Sequence, residues 1–306
     1  MSKFLMIAAI PALATAALAD PVLDGTRDAL YGPAVSVQTV QTGFGDANPA
    51  GGSELNAAYA RVESGNLYLL LTGNLESNFN KLNIFIDSQA GGQNVLQNNA
   101  DNGGNNPINE GWAAKHAGFT FDAGFTADYM LIVRNGNSAG DRFDVDFATI
   151  GGGAAAFITG GNIFSGSLTG ANPNALSNGI GVAFNNSNTL GVTGGTGPAN
   201  QAAAAAVSTG VEFVIPLAAI GSPIGAFRIS AMINGSNHDY LSNQFLGGMS
   251  APQVNVGGDG VGGFNGTVGQ INLNNFAGDQ FFTVVPSPSS LALLALAGLT
   301  QLRRRR

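Results

Sequence analysis

Apolar residues recur at every second position through most of the chain. Within 34–40, Val35, Val37 and Thr39 fall on one face; within 57–62, Ala58, Ala60 and Val62 do the same. A period of two sends alternate side chains to opposite faces of a strand. The window 67–72 is continuously apolar, as a central strand buried on both faces should be. Further strand windows follow at 82–87, 129–133, 143–147, 211–215, 227–233 and 281–285. Turn residues stand between them: Ser64-Gly65-Asn66, Arg134-Asn135-Gly136-Asn137 and Asn234-Gly235-Ser236-Asn237. The two Asn-Gly pairs suit turns that need positive φ. Many short strands punctuated this way predict an all-β fold, an antiparallel β-sandwich of jelly-roll-like kind.

Two stretches break the rhythm. Residues 90–111 are rich in Gly, Asn and Gln and read as a long loop. Residues 151–210 are rich in Gly, Ala and Asn, with apolar islands at 155–158 and 180–184. Such a length without structure argues against itself inside a compact domain, so some of it is expected to form extra strands. The run 201–207 (QAAAAAV) suits one or two helical turns.

Composition agrees. Gly contributes 45 residues and Asn 32, a quarter of the chain, while only 10% is charged. Both are poor helix formers, which excludes a helical bundle. A net charge of −7 disfavours a nucleic-acid partner. The chain has no Cys, so without disulfides its stability must come from a hydrophobic core or bound ions.

The two ends read as addresses. Residues 1–19 carry Lys3, an apolar stretch and the small-x-small site Ala17-Leu18-Ala19, the pattern of a signal peptide that signal peptidase cuts before Asp20. At the other end, Pro286-Ser287-Pro288 precedes an apolar helix-forming stretch from Leu291 to Leu302. The basic cluster Arg303, Arg304, Arg305 and Arg306 follows it. A basic cluster after an apolar helix stays on the cytoplasmic side of a membrane. Loss of Lys3 and the four arginines takes the net charge from −7 to about −12. The expected organisation is therefore a signal peptide (1–19), one β-sandwich domain (20–285) with insertions at 90–111 and 151–210, and a tail (286–306).

The tail resembles the PEP-CTERM sorting signal: a Pro-x-Pro motif, an apolar helix and a terminal Arg cluster, in that order. Ser287 stands where that family has Glu. The resemblance implies an exosortase as partner and membrane contact through the C-terminal helix before processing. It also implies export through the inner membrane to the cell surface or extracellular polysaccharide matrix of a Gram-negative-type bacterium. The body resembles the carbohydrate-binding-module-family-9-like sandwiches, a group related to DOMON-type domains. The matching pieces are Leu23-Asp24-Gly25 with Asp28 and Tyr31, Asn66-Leu67-Tyr68-Leu69, the strand ending in Asp87, and Val211-Glu212-Phe213 running to Ile215-Pro216-Leu217.

Candidate chemistry is sparse. The two His and absent Cys supply too few ligands for a zinc site. The Gly-rich stretches lack the Lys-Ser/Thr of a phosphate loop. Glu212 sits between Val211 and Phe213 and is expected to face outward into solvent. Calcium suits hard oxygen ligands, and Asp141, Asp144 and Asp146 form one candidate set, Asp144 and Asp146 on one strand face. Asp101-Asn102 with Asn105-Asn106 forms another. For a sugar, an aromatic platform flanked by amides is needed. Trp112 and His116, near Phe119 and Phe121, form one candidate group; Asn237, His238 and Tyr240 form a second. The expected function is a non-enzymatic surface or matrix protein that binds polysaccharide. The alternatives are a self-associating structural matrix protein and, behind it, a secreted glycan hydrolase.

Overall fold

The structure, a computed structural model, describes residues 19–45, 52–99, 111–137, 141–151, 155–158 and 174–286. Most of its regular structure is β. In chain order come β1 (Ser36–Val37), β2 (Glu54–Glu63), β3 (Asn66–Asn74), β4 (Asn78–Asp87), α1 (Trp112–His116), β5 (Tyr129–Asn137) and β6 (Asp141–Thr149). Then follow β7 (Ala155–Ile158), β8 (Asn174–Ala175), β9 (Gly181–Phe184), α2 (Gln201–Ala206), β10 (Gly210–Pro216), β11 (Phe227–Asn234), β12 (Leu241–Leu246) and β13 (Phe282–Val284).

The strands form two antiparallel sheets. One runs β1-β2-β3-β10-β9-β8 and the other β12-β11-β4-β5-β6-β7, with β13 also paired to β11. Alternation explains how they meet. Leu67, Leu69, Leu71, Phe213 and Ile215 of the first sheet share one core with Ile84, Ile86, Leu131, Val145 and Ile229 of the second. The alternate positions of the second sheet point away from that core, and they too are covered. Phe85, Met130, Ile132 and Met232 pack with Trp112, Phe119, Phe121, Val256 and Ile271 from the segments folded over this outer face. That second apolar layer is how a Gly- and Asn-rich chain without disulfides buries enough surface.

Each expected strand window contains a strand, but 34–40 keeps only β1. Beyond Gln38, whose N–H still donates to Asn56 of β2, the chain reaches the segment after β12, where Thr39 Oγ1 donates to the Met249 carbonyl at 2.6 Å. The islands 155–158 and 180–184 hold β7 and β9, and 201–206 forms α2, capped by Asn200 accepting from Ala203 N. Ser64 and Gly65 take positive φ in the turn joining β2 to β3.

The Asn135-Gly136 turn is a correction. β5 runs through it to Asn137, with Asn135 opposite Phe143 and Gly136 opposite Arg142. Gly136 is needed for space: a Cβ there would lie 2.2 Å from Cε1 of Phe79. At 234–237 a turn does form, but the positive φ falls on His238 (57°), not on Gly235. β12 and α1 lie outside every window foreseen. Ser242, Asn243 and Gln244 make β12 look like a loop, yet all three are buried.

Candidate functional site

The two aromatic and histidine groups, more than a hundred residues apart in sequence, meet at Asn234. This residue ends β11 on the outer face of the second sheet. Its Nδ2 donates to Asn83 Oδ1 (3.2 Å) and lies 3.4 Å from His116 Nε2, and its Oδ1 accepts from the Tyr240 amide (3.2 Å). One turn of α1 sets His116 Nδ1 2.9 Å from the Trp112 carbonyl oxygen. An oxygen there requires a proton on Nδ1, which makes Nε2 the acceptor facing the Asn234 amide. The His116 and His238 rings are 5.7 Å apart, and Trp112 is 6.0 Å from His116.

Most of this cluster is inside the protein. Trp112, His116 and His238 are all buried. Burial pushes the His116 pKa down to about 4, against an upward pull from the Trp112 carbonyl, so the ring is neutral at neutral pH. Among the described residues no acceptor reaches the Trp112 indole N–H. The Trp112 platform expected from the sequence is thus corrected: the ring fills the second core and presents no face to solvent, and His116 and His238 pack beside it.

Tyr240 and Asn237 do reach the surface, half-buried and exposed respectively. The Tyr240 ring stacks on Phe44 with centroids 6.0 Å apart and planes at 10°. Its hydroxyl donates to the Gly262 carbonyl at 3.0 Å. Amides knit the three participating loops together. Asn255 Nδ2 donates to the Gly43 carbonyl, Asn243 Oδ1 accepts from Gly43 N, and Asn265 Nδ2 donates to the Gly258 carbonyl. Phe264, two residues beyond Gly262, is 70% exposed. Phe44 and Phe264 were not foreseen; they stand in Gly-rich loops where no strand pattern flags them.

The acidic candidates serve the sheet. Asn234, Lys81, Arg134 and Asp144 stand directly opposite one another across β11, β4, β5 and β6. Arg134 Nε donates to Asp144 Oδ2 at 2.6 Å with both side chains buried. Asp146 is buried two residues on, and the backbone of Asp141 opens β6. Among the described residues no group of three His, Asp or Glu converges as a metal site would need. Residues 101–106, the other calcium candidate, lie outside the described residues.

Glu212 also departs from expectation. It does point away from the central core, but it is buried, because the segment 22–31 folds over it. Oε2 accepts from the amides of Asp24 (2.9 Å) and Gly25 (2.8 Å), and Oε1 accepts from the Tyr31 hydroxyl (2.7 Å). Burial pushes its pKa up to about 7 while the three donors pull it down.

Of the sorting residues, Ala19 and Pro286 sit at the two ends of the described body; Ala17, Ser287, Pro288 and Arg303 to Arg306 lie outside it. Among the described residues no helix is long and apolar enough to cross a membrane. No protein-family model, curated protein or solved structure matches the chain. Fold and site together define a disulfide-free protein of two antiparallel sheets, carrying an aromatic and amide-rich ledge at one surface.

Proposed function

We propose that the protein is an exported, non-enzymatic β-sandwich of jelly-roll-like kind that acts at the cell surface or in the extracellular matrix by holding polysaccharide. The observation that supports this reading best is the Tyr240–Phe44 stack, held by amide-linked loops that also carry the exposed Asn237 and Phe264. An aromatic face takes the C–H side of a pyranose, and fixed amides exchange hydrogen bonds with its hydroxyls. The signal peptide and the PEP-CTERM-like tail supply the route outward, through signal peptidase and an exosortase. Calcium enters this reading only as a stabiliser of loops.

The test is retention of the whole chain, purified in detergent, on a panel of immobilised bacterial polysaccharides. Phe264→Ala and Tyr240→Ala should each cut retention at least fivefold with an unchanged far-UV spectrum. Retention unaffected by both substitutions would remove the ledge. No retention, with concentration-dependent assembly in light scattering, would favour the structural matrix reading. Reducing sugar released from the panel would favour the hydrolase.

A further inference from the structure

A cleft of about 310 Å³ opens at the far end of the β4–β11 pair, between residues 87–90 and 223–228. It lies about 20 Å from Asn234, six residues along β11 at roughly 3.3 Å each. Its volume falls at the lower end of the range for small-ligand sites.

The walls are held rigidly. Asp128 Oδ2 accepts from the amides of Ser88 and Gln89, both at 2.8 Å, and Ser88 Oγ donates to the Ile220 carbonyl at 2.8 Å. Asp87 accepts from Thr126 N at 3.2 Å and from its hydroxyl at 3.4 Å. Arg228 lies over the Phe281 ring, 5.4 Å from its centroid, and donates to the Gly124 carbonyl.

Arg228 Nη1 also lies 3.5 Å from Asp87 Oδ2, and 44% of the arginine side chain is exposed. Both polar contacts of the guanidinium run through Nη1, so donors on Nη2 and Nε remain for a ligand. The carboxylate makes only long contacts and keeps acceptor capacity. A fixed acceptor therefore stands beside a fixed donor, with the exposed Ile224 at the cleft rim.

We propose that this cleft is a second, separate binding site, for one neutral hexopyranose held through a vicinal diol. One hydroxyl donates to Asp87 while its neighbour accepts from Arg228, and the C–H face of the ring lies against Ile224. The pair is electrically balanced, and Asp87 repels a carboxylate or phosphate that would otherwise seek Arg228. The proposal stands whether or not the Tyr240 ledge binds polymer.

Ligand-observed saturation-transfer NMR on the whole chain in detergent tests it. The probes are the methyl α-glycosides of glucose, galactose and mannose, with tetrahydropyran-2-methanol as a ring lacking the diol and methyl β-glucuronide as an anion. At least one neutral glycoside should show transfer, the diol-free ring none. The signal should fall at least fivefold in Arg228→Gln and in Ile224→Glu, a substitution at an exposed position that leaves the fold intact. Both cleft substitutions are read in the Tyr240→Ala background, so that the ledge does not contribute to the signal. Absence of transfer from all three neutral glycosides overturns the proposal, as does preference for the glucuronide. A signal that survives both cleft substitutions, or that vanishes with Tyr240→Ala alone, also overturns it.

Discussion

The Tyr31 hydroxyl donates to Glu212 Oε1 at 2.7 Å across 181 residues of sequence. With the amides of Asp24 and Gly25 on the other oxygen, this bond fastens the N-terminal segment over the outer face of β10. Tyr31, Tyr59, Tyr68 and Leu70 complete that seal as a small apolar cluster. Burial raises the Tyr31 hydroxyl pKa as well, with the Glu212 charge adding to the rise.

A pH dependence follows from Glu212. Its folded pKa of about 7 stands above its ordinary 4.5. The folded state therefore holds the proton more tightly than the unfolded state. This contribution to stability is fully present below pH 4.5 and is lost as pH rises through 7. A shift of this size is worth about 3 kcal/mol at 1.36 kcal/mol per unit. Thermal melts of the wild type should decline from pH 5 to 8 relative to Glu212→Gln, whose amide keeps an acceptor for the two backbone N–H groups. Parallel curves for the two proteins would show that Glu212 does not titrate in this window.

His116 acts with the opposite sign. Its folded pKa of about 4 lies below its ordinary 6.5. Here the unfolded state binds the proton more tightly. The stability is fully present above pH 6.5 and is lost as pH falls towards 4. His116→Phe should flatten the acid limb of the stability curve between pH 6.5 and 4, at some cost to stability at pH 7. An acid limb as steep in the variant as in the wild type would sink this assignment.

Trp112 separates structure from recognition. The ring is wholly buried among Phe119, Phe121 and Met232. Trp112→Ala should cost roughly 3–5 kcal/mol through the cavity it leaves. Trp112→Phe removes a buried N–H that has no acceptor among the described residues, so part of its packing loss is offset and the cost should stay near 1–2 kcal/mol. Urea denaturation measures both. Polysaccharide retention by the Phe variant should match wild type; a large drop at full folding would return Trp112 to the binding surface.

Period-two alternation made the strands legible, because both sheets bury one face against the other. Leu67, Leu69 and Leu71 could be read as a central strand from their spacing alone. The outer faces were less legible. Glu212 and Asp144 occupy alternate positions that are normally solvated; the distant segment 22–31 covers Glu212, and Asp144 is buried against Arg134. β12 was hidden for a related reason: its Ser242, Asn243 and Gln244 are satisfied by hydrogen bonds such as Asn243 Nδ2 to the Gln253 carbonyl (2.7 Å), which composition does not announce. Tyr240 and Asn237 were legible as amide-flanked aromatic chemistry. Phe44 and the cleft at Asp87 were not, since each depends on loops brought together by the fold.

Gly136 illustrates how a turn signal can have another cause. Phe79, at φ 69°, presses its ring where a Cβ on Gly136 would stand, and Arg134 lies 5.4 Å above that ring. Gly136→Ala should destabilise by roughly 1–3 kcal/mol through overpacking. In Phe79→Ala the space opens, so the double variant should be less unstable than the two single losses added together. Simple additivity in a double-mutant cycle would show that the ring is not the obstacle.

The two ends of the described body reach the surface at Asp20 and Val285, while Pro286 is buried. The last ladder position is Val284, paired with Phe227 of β11, and Val285 beyond it is 73% exposed. At the start, Asp20 is exposed, and the first backbone bond inward is Val22 N to Asp28 Oδ2 at 2.6 Å. Removal of residues 1–19 and of the segment beyond the Pro-x-Pro would take no residue from the described strands or from either described core. Intact-mass spectrometry of surface material should show a chain that begins at Asp20 and lacks Arg303 to Arg306. That chain should melt within about 2 °C of the full-length protein, since a loss of even 1 kcal/mol would move the midpoint of a domain this size by roughly 2–4 °C. Surface material that retains Arg306 would refute processing by an exosortase, and a markedly lower midpoint for the trimmed chain would mean that the tail contributes to the fold.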